Sequence, residues 1–232
     1  RRYLVGYKRG KYNFTDILSL NKMGWMVGLQ MGLETALFSI TGIMIGWLGS
    51  IALAAHQVMV AISTLGFMIY YGVGAAVSVR VSNYFGRQDL LHVRRTTMAG
   101  FHLILCLAVC ACTVFLFSRE LIGYLFTTSE EVIRVVSTLV YILLAYQFGD
   151  ALQITYANSL RGIGDVISMA VISFIGYFLI AMPVCYICGF VLEWGITGIW
   201  IGYPIGLTLT GVMLCGRYYW KLKTDRKSTR LN

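Results

Sequence analysis

The chain has 232 residues, 58% of them hydrophobic and 12% charged, with a formal net charge of +9 and a mean hydropathy of +0.72. A soluble domain carries roughly a quarter of its residues as charges, so this composition excludes one. The basic excess raises nucleic acid as a partner, and the placement of the charges along the chain excludes that reading too.

A spanning helix needs roughly 20 mostly apolar residues. Six windows qualify, at about 18–48, 51–84, 96–117, 132–160, 166–192 and 196–219. None shows the polar–apolar alternation of barrel strands, so the backbone must be satisfied within each helix. The predicted fold class is all-α: a polytopic membrane protein of six transmembrane helices. The first, second and fourth windows exceed the minimum length and leave room for tilt or bending.

Residues 1–17 hold Arg1, Arg2, Lys8, Arg9 and Lys11. With no short apolar core behind them they are no signal peptide, and they read as a cytoplasmic linker ahead of a six-helix lobe at 18–220. On the first predicted helix Gln30 and Glu34 stand one turn apart. A carboxylate at bilayer depth costs about 2.5–3.5 kcal/mol on insertion scales, and it is retained mainly where it lines a polar cavity that handles ions or protons. His56-Gln57 opens the second helix at its extracytoplasmic end, where it is expected to be hydrated and structural or gating. The stretch after that helix is basic, with Arg80, Arg87, Arg94 and Arg95 around a solvated His92.

The third helix carries Cys106, Cys110 and Cys112, and the fifth carries Cys185-x-x-Cys188. Without a second pair or a His cluster this spacing specifies no metal site, and the cysteines read as small hydrophobes inside spans. The fourth helix places Tyr146, Asp150 and Gln153 at i−4, i and i+3, on one face, with Asn158 two turns beyond Asp150. That polar face must point into the lobe or a water-filled cavity. Arg161-Gly162-Ile163-Gly164-Asp165 then forms a cytoplasmic turn, with Arg161 and Asp165 expected to pair locally.

Pro183 and Pro204 interrupt the fifth and sixth helices. Glycines at 24, 28 and 32, at 42 and 46, and at 198, 202 and 206 repeat every four residues, the spacing of close helix contacts. Residues 221–232 form a basic tail, whose last part, 225–232, resembles a translated sequencing adaptor. Of the 19 Lys and Arg, all but Arg119 and Arg134 fall on one side of the six-span topology, and those two lie near Glu120, Glu130 and Glu131. By the positive-inside rule both termini face the cytoplasm.

In low dielectric an anionic carboxylate is disfavoured alone and favoured beside a cation. Such a group can exchange a proton for Na⁺ or for a cationic substrate, which is the physical core of an antiporter. No nucleophile elbow, phosphate-binding glycine loop or metal-ligand pattern appears, so no enzyme chemistry and no cofactor is expected. The coupling ion would be Na⁺ or H⁺, with no metal site beyond a Na⁺ at Glu34 and Asp150.

These residues also carry a family likeness. Leu48-Gly49-Ser50-Ile51-Ala52-Leu53-Ala54-Ala55-His56-Gln57, Gly74-Ala75-Ala76-Val77-Ser78-Val79-Arg80-Val81, Tyr146-Gln147-Phe148-Gly149-Asp150-Ala151-Leu152-Gln153 and Ser159-Leu160-Arg161-Gly162 resemble the second-half motifs of multidrug and toxic compound extrusion (MATE) transporters, in their bacterial NorM-like branch. The resemblance implies helices seven to twelve of a twelve-helix, two-lobe antiporter, with the N-terminal lobe on the preceding part of the same polypeptide. It implies cation coupling or binding at Glu34, Asp150 and Tyr146, to which the residue pattern adds Gln30, Gln153 and Asn158 as supporting polar groups. It further implies efflux of small-molecule drugs and toxic, amphipathic cations across a bacterial inner membrane, among membrane lipid and without nucleic acid. A rival within the superfamily is a flippase for lipid-linked saccharides or peptidoglycan precursors, which requires a strongly cationic central cavity. Where relatives often carry Pro, this chain has Met26 and Tyr70, so helix bending there is expected to differ.

Overall fold

A computed structural model describes residues 14–231, with side chains through 225. The expected linker over 1–13, and the side chains of the expected adaptor-like segment from 226 onward, lie outside the described residues. The described chain is α1 (Phe14–Gly46), α2 (Ser50–Gly86), α3 (Leu90–Phe117), a short α4 (Arg119–Phe126), α5 (Glu130–Gly162), α6 (Val166–Val191) and α7 (Gly195–Leu231). Six of these, all but α4, are long and apolar enough to cross a membrane.

The helices overrun several apolar windows because capping and propensity, rather than hydropathy, set their ends. α3 starts at Leu90, since the Asp89 carboxylate accepts the backbone N–H of His92 at 3.1 Å. That bond, with the His92 ring, holds the Asp89 carboxyl below the usual range. Between α1 and α2, Gly49 turns the chain at φ 111°, a conformation side chains disfavour. The α4 helix was not expected, because eight residues are too short to register as a span. It packs Ile122 and Gly123 inward and leaves Leu121, Tyr124 and Leu125 exposed.

The α5 helix is the hub, packing against α2, α3 and α7. Half of its apolar window is buried, against 28% for those of α1 and α6 and 17% for that of α3, so these three leave much of their surface bare. Pro183 sits between two π-helical stretches of α6, Ile175–Ala181 and Ile187–Val191. A proline cannot donate its backbone hydrogen bond, and a widened turn accommodates the loss. The sixth helix, by contrast, is not interrupted: α7 runs through Pro204 as one helix.

The glycine repeats divide in two. Among the described residues nothing lies within 4 Å of a Cβ added at Gly24, Gly28 or Gly32, so that stripe makes no close contact with another described helix. At Gly198, Gly202 and Gly206 the added atom meets α6. A Cβ on Gly198 would fall 2.9 Å from the Gly189 backbone nitrogen and closer still to the Cys188 carbonyl. Backbone cannot rotate away as a side chain can. Gly198→Ala should therefore destabilise the lobe by about 1–3 kcal/mol or more, while Gly28→Ala should leave it unchanged. Thermal unfolding of both variants in detergent checks this, and equal melting temperatures would contradict it.

Candidate functional site

Glu34 lies midway along α1 and is half-buried. Its Oε2 accepts hydrogen bonds from Gln30 Nε2 and from the Tyr177 hydroxyl, both at 3.4 Å. Tyr177, on the π-helical stretch of α6, in turn accepts from Gln153 Nε2 on α5 at 2.6 Å. At the other end Gln30 Oε1 accepts from Arg161 Nη2 at 3.2 Å. The result is a polar chain from Arg161 through Gln30, Glu34 and Tyr177 to Gln153, crossing α5, α1 and α6.

Glu34 also borders open space. A pocket of about 200 Å³ lies beside it, toward the Phe38 end of α1, walled by α1, α2 and Tyr146 of α5. Glu34 is the one charged residue among the described residues that line it. Toward the Arg161 end the space pinches to a crevice of about 10 Å³ between Glu34, Gln153, Asn158 and Arg161.

Asp150 is placed differently. It is fully buried on α5, lines neither space, and neither carboxylate oxygen has a hydrogen-bond partner among the described residues. It is within electrostatic reach of Glu34, Tyr146 and Tyr70. The Gln147 amide, the Tyr70 hydroxyl and Gln153 Oε1 are likewise buried without a partner. Buried polar groups are paired in more than nine cases of ten, roughly, and an unpaired charge in low dielectric is costlier still. Several such unpartnered groups near one buried carboxylate are suited to take up a proton or a cation. Carboxylates, phenols and amides are hard oxygen donors, which fit Na⁺ or H⁺ better than a soft transition metal. Among the described residues no three His, Cys, Asp or Glu side chains group as metal ligands.

Of the six residues singled out from sequence, Gln30, Glu34, Gln153 and Asn158 line the one crevice together. Glu34, Gln30 and Gln153 join through Tyr177. Tyr146 shares the open pocket with Glu34. Asp150 lines neither space, and Asn158 also meets Arg161, whose Nη1 donates to its Oδ1 at 3.3 Å. Gly74 admits Asn158, since a Cβ there would fall 2.6 Å from its Nδ2.

Three expectations need correction. His56 is not hydrated: it is 2% exposed, packed edge-on to Trp200 with ring centroids 5.7 Å apart. Arg161 does not pair with Asp165. Asp165 binds Arg217 Nε of α7 at 2.7 Å, and Arg161 turns inward. Burial works against the Asp165 charge, but the hydrogen bond and charge of Arg217 outweigh it and hold this carboxyl below the usual range. Gly162 is not a turn residue either. It ends α5 where a Cβ would press on the Ser78 carbonyl at 2.8 Å, and Gly164, at φ 78°, makes the reversal.

Sequence reasoning missed Tyr177, Tyr70 and the inward reach of Arg161. A tyrosine within an apolar span was the available signal for the first two. Nothing local distinguishes a guanidinium that anchors to headgroups from one that turns inward.

The MatE family model matches residues 27–187. The multidrug resistance protein NorM of Photobacterium profundum is 34% identical over 209 residues, covering 88% of this chain and 46% of that protein. NorM of Aliivibrio fischeri is 33% identical over 222 residues, covering 94% of this chain and 47% of that protein. The chain thus spans about half the length of the curated relatives it matches. The crystal structure of the eukaryotic MATE transporter AtDTX14 superposes with a TM-score of 0.84 at 20% identity, over 95% of this chain and 51% of that one. The structure of MATE in complex with MaL6 gives a TM-score of 0.86 at 15% identity, over 94% and 49%. These two likenesses speak to the fold.

Proposed function

This chain belongs to the MatE family, and we propose that it is the C-terminal lobe of a cation-coupled multidrug efflux antiporter. The full transporter would export amphipathic, often cationic compounds by alternating access of two six-helix lobes. It would work in a bacterial inner membrane, with the basic ends of the helices in the cytoplasm. A transporter, rather than an enzyme, is the reading the family membership favours.

One observation carries the reading: two carboxylates stand at bilayer depth within electrostatic reach of each other, one beside an open pocket and the other sealed without a partner. Glu34 would meet the incoming cation or proton, oriented by Gln30 and Tyr177. Asp150, with Tyr146 at the boundary of the pocket, would be neutralised as the ion moves inward. Neutralising a buried charge changes the stability of its surroundings, so binding can favour one packing of the lobe over another. A cationic drug competes for the same anionic space, which links its release to ion entry. The acidic pocket also disfavours the flippase alternative, which requires a cationic cavity.

The test is ion-jump-driven efflux of a fluorescent cation from proteoliposomes holding the full-length protein. Glu34→Gln keeps the shape and the hydrogen bonds but removes the charge. It should cut Na⁺- or pH-driven efflux by about tenfold or more, since coupling between two ligands is typically about 1–3 kcal/mol and the neutral amide forfeits it. Unchanged ion-driven efflux would refute the role of Glu34.

A further inference from the structure

The two spaces that Glu34 borders differ about as 200 Å³ to 10 Å³, and among the described residues that line the smaller, Arg161 is the one cation. Arg161, in the last turn of α5, donates from Nη2 to Gln30 Oε1 at 3.2 Å, and from Nη1 to Asn158 Oδ1 and the Tyr71 hydroxyl, both at 3.3 Å. Its guanidinium also lies 6.0 Å from the Tyr71 ring centroid. It thereby ties α1, α2 and α5 together at the end of the pocket that carries the basic residues.

We propose that Arg161 is a positioning residue for the Glu34 carboxylate and a fixed positive stop at the basic end of its pocket. In this conformation the coupling cation therefore reaches and leaves Glu34 only from the opposite side. The inference rests on the reading of Glu34 as the coupling carboxylate.

Two physical arguments support it. A guanidinium donates and never accepts, so its bond to Gln30 Oε1 turns the Gln30 amide nitrogen toward Glu34. With the amide reversed, its oxygen would face the carboxylate and repel it. The residual crevice has room for no more than about one water molecule, so no hydrated cation can pass it. The positive charge at its far wall raises the barrier further.

The experiment uses the full-length transporter in proteoliposomes with an internal Na⁺ or pH indicator. It reads cation leak down an imposed gradient without drug, and the cation concentration giving half-maximal drug efflux. Arg161→Gln removes the charge and should raise the drug-free leak about tenfold. Arg161→Lys keeps the charge but loses the forked hydrogen bonding. It should stay as tight as wild type, while the half-maximal cation concentration rises severalfold. A merely structural arginine would not split the two readouts in this way. Wild-type leak and wild-type cation dependence in R161Q, or equal leak in R161Q and R161K, would overturn the proposal. If R161Q fails to reach the membrane, Gln30→Leu decides the positioning role. A severalfold rise in the half-maximal concentration without leak is expected, and no change sinks it. Loss of the underlying reading shows separately, as wild-type ion dependence in Glu34→Gln.

Discussion

Asp150→Asn should reduce ion-driven efflux by the full-length transporter to the leak of empty liposomes, while the protein still inserts and folds. Asparagine matches aspartate in size, so packing on α5 is kept and only the ionisable group is lost. The carboxylate has neither oxygen paired and no exposure. A neutral amide left in the same place costs about 1–3 kcal/mol, whereas an unpaired buried charge costs more. The variant should therefore melt at the wild-type temperature or above. Lost transport with kept or raised stability is the signature of a group retained for function against its own folding cost. Thermal unfolding in detergent, run beside the proteoliposome assay, separates the outcomes. Full ion-dependent efflux in Asp150→Asn would show the carboxylate to be structural, and so would a collapse in melting temperature.

The second large effect concerns the lobe as a unit. Residues 1–224 expressed alone should confer no drug resistance and no ion-driven efflux. The curated relatives are about twice as long, and alternating access needs two bodies that move against each other. The bare face of α1 and the pocket beside it offer a second body a place to pack. On α1, Leu20 and Trp25 are 69% and 72% exposed, and Gly24, Gly28 and Gly32 have nothing within 4 Å. The pocket beside Glu34 is open. Joined to the preceding half, the same residues should support efflux of a fluorescent cation. Resistance at the full-length level from the isolated lobe would sink the two-body mechanism.

What the sequence determined by itself follows from local quantities. Run length and hydropathy specify six spans, because a bilayer accepts only helices whose backbone is satisfied internally. Residue counting places the basic charges on one side of those spans. Position within a run marks Glu34 and Asp150, since a carboxylate in the middle of an apolar stretch is costly wherever the helix packs. Periodicity relates Gln30 to Glu34, and the two are joined by a hydrogen bond.

Only the tertiary structure decided which of these groups meet, because contact across helices depends on rotation and crossing, which no single helix encodes. It brought Tyr177 from α6 to Glu34 and Gln153, and it set Glu34 beside an open pocket while burying Asp150 away from it. His56 became buried because Trp200 of α7 covers it. Arg161 turned inward because Arg217, distant in sequence, takes Asp165. The Arg161 guanidinium satisfies its donors with the neutral acceptors within reach, Gln30, Asn158 and Tyr71, and shares a crevice with the Glu34 carboxylate. The glycine repeats divide for the same reason: identical spacing becomes a contact only where another helix crosses it, as α6 does at Gly198 and nothing does at Gly28.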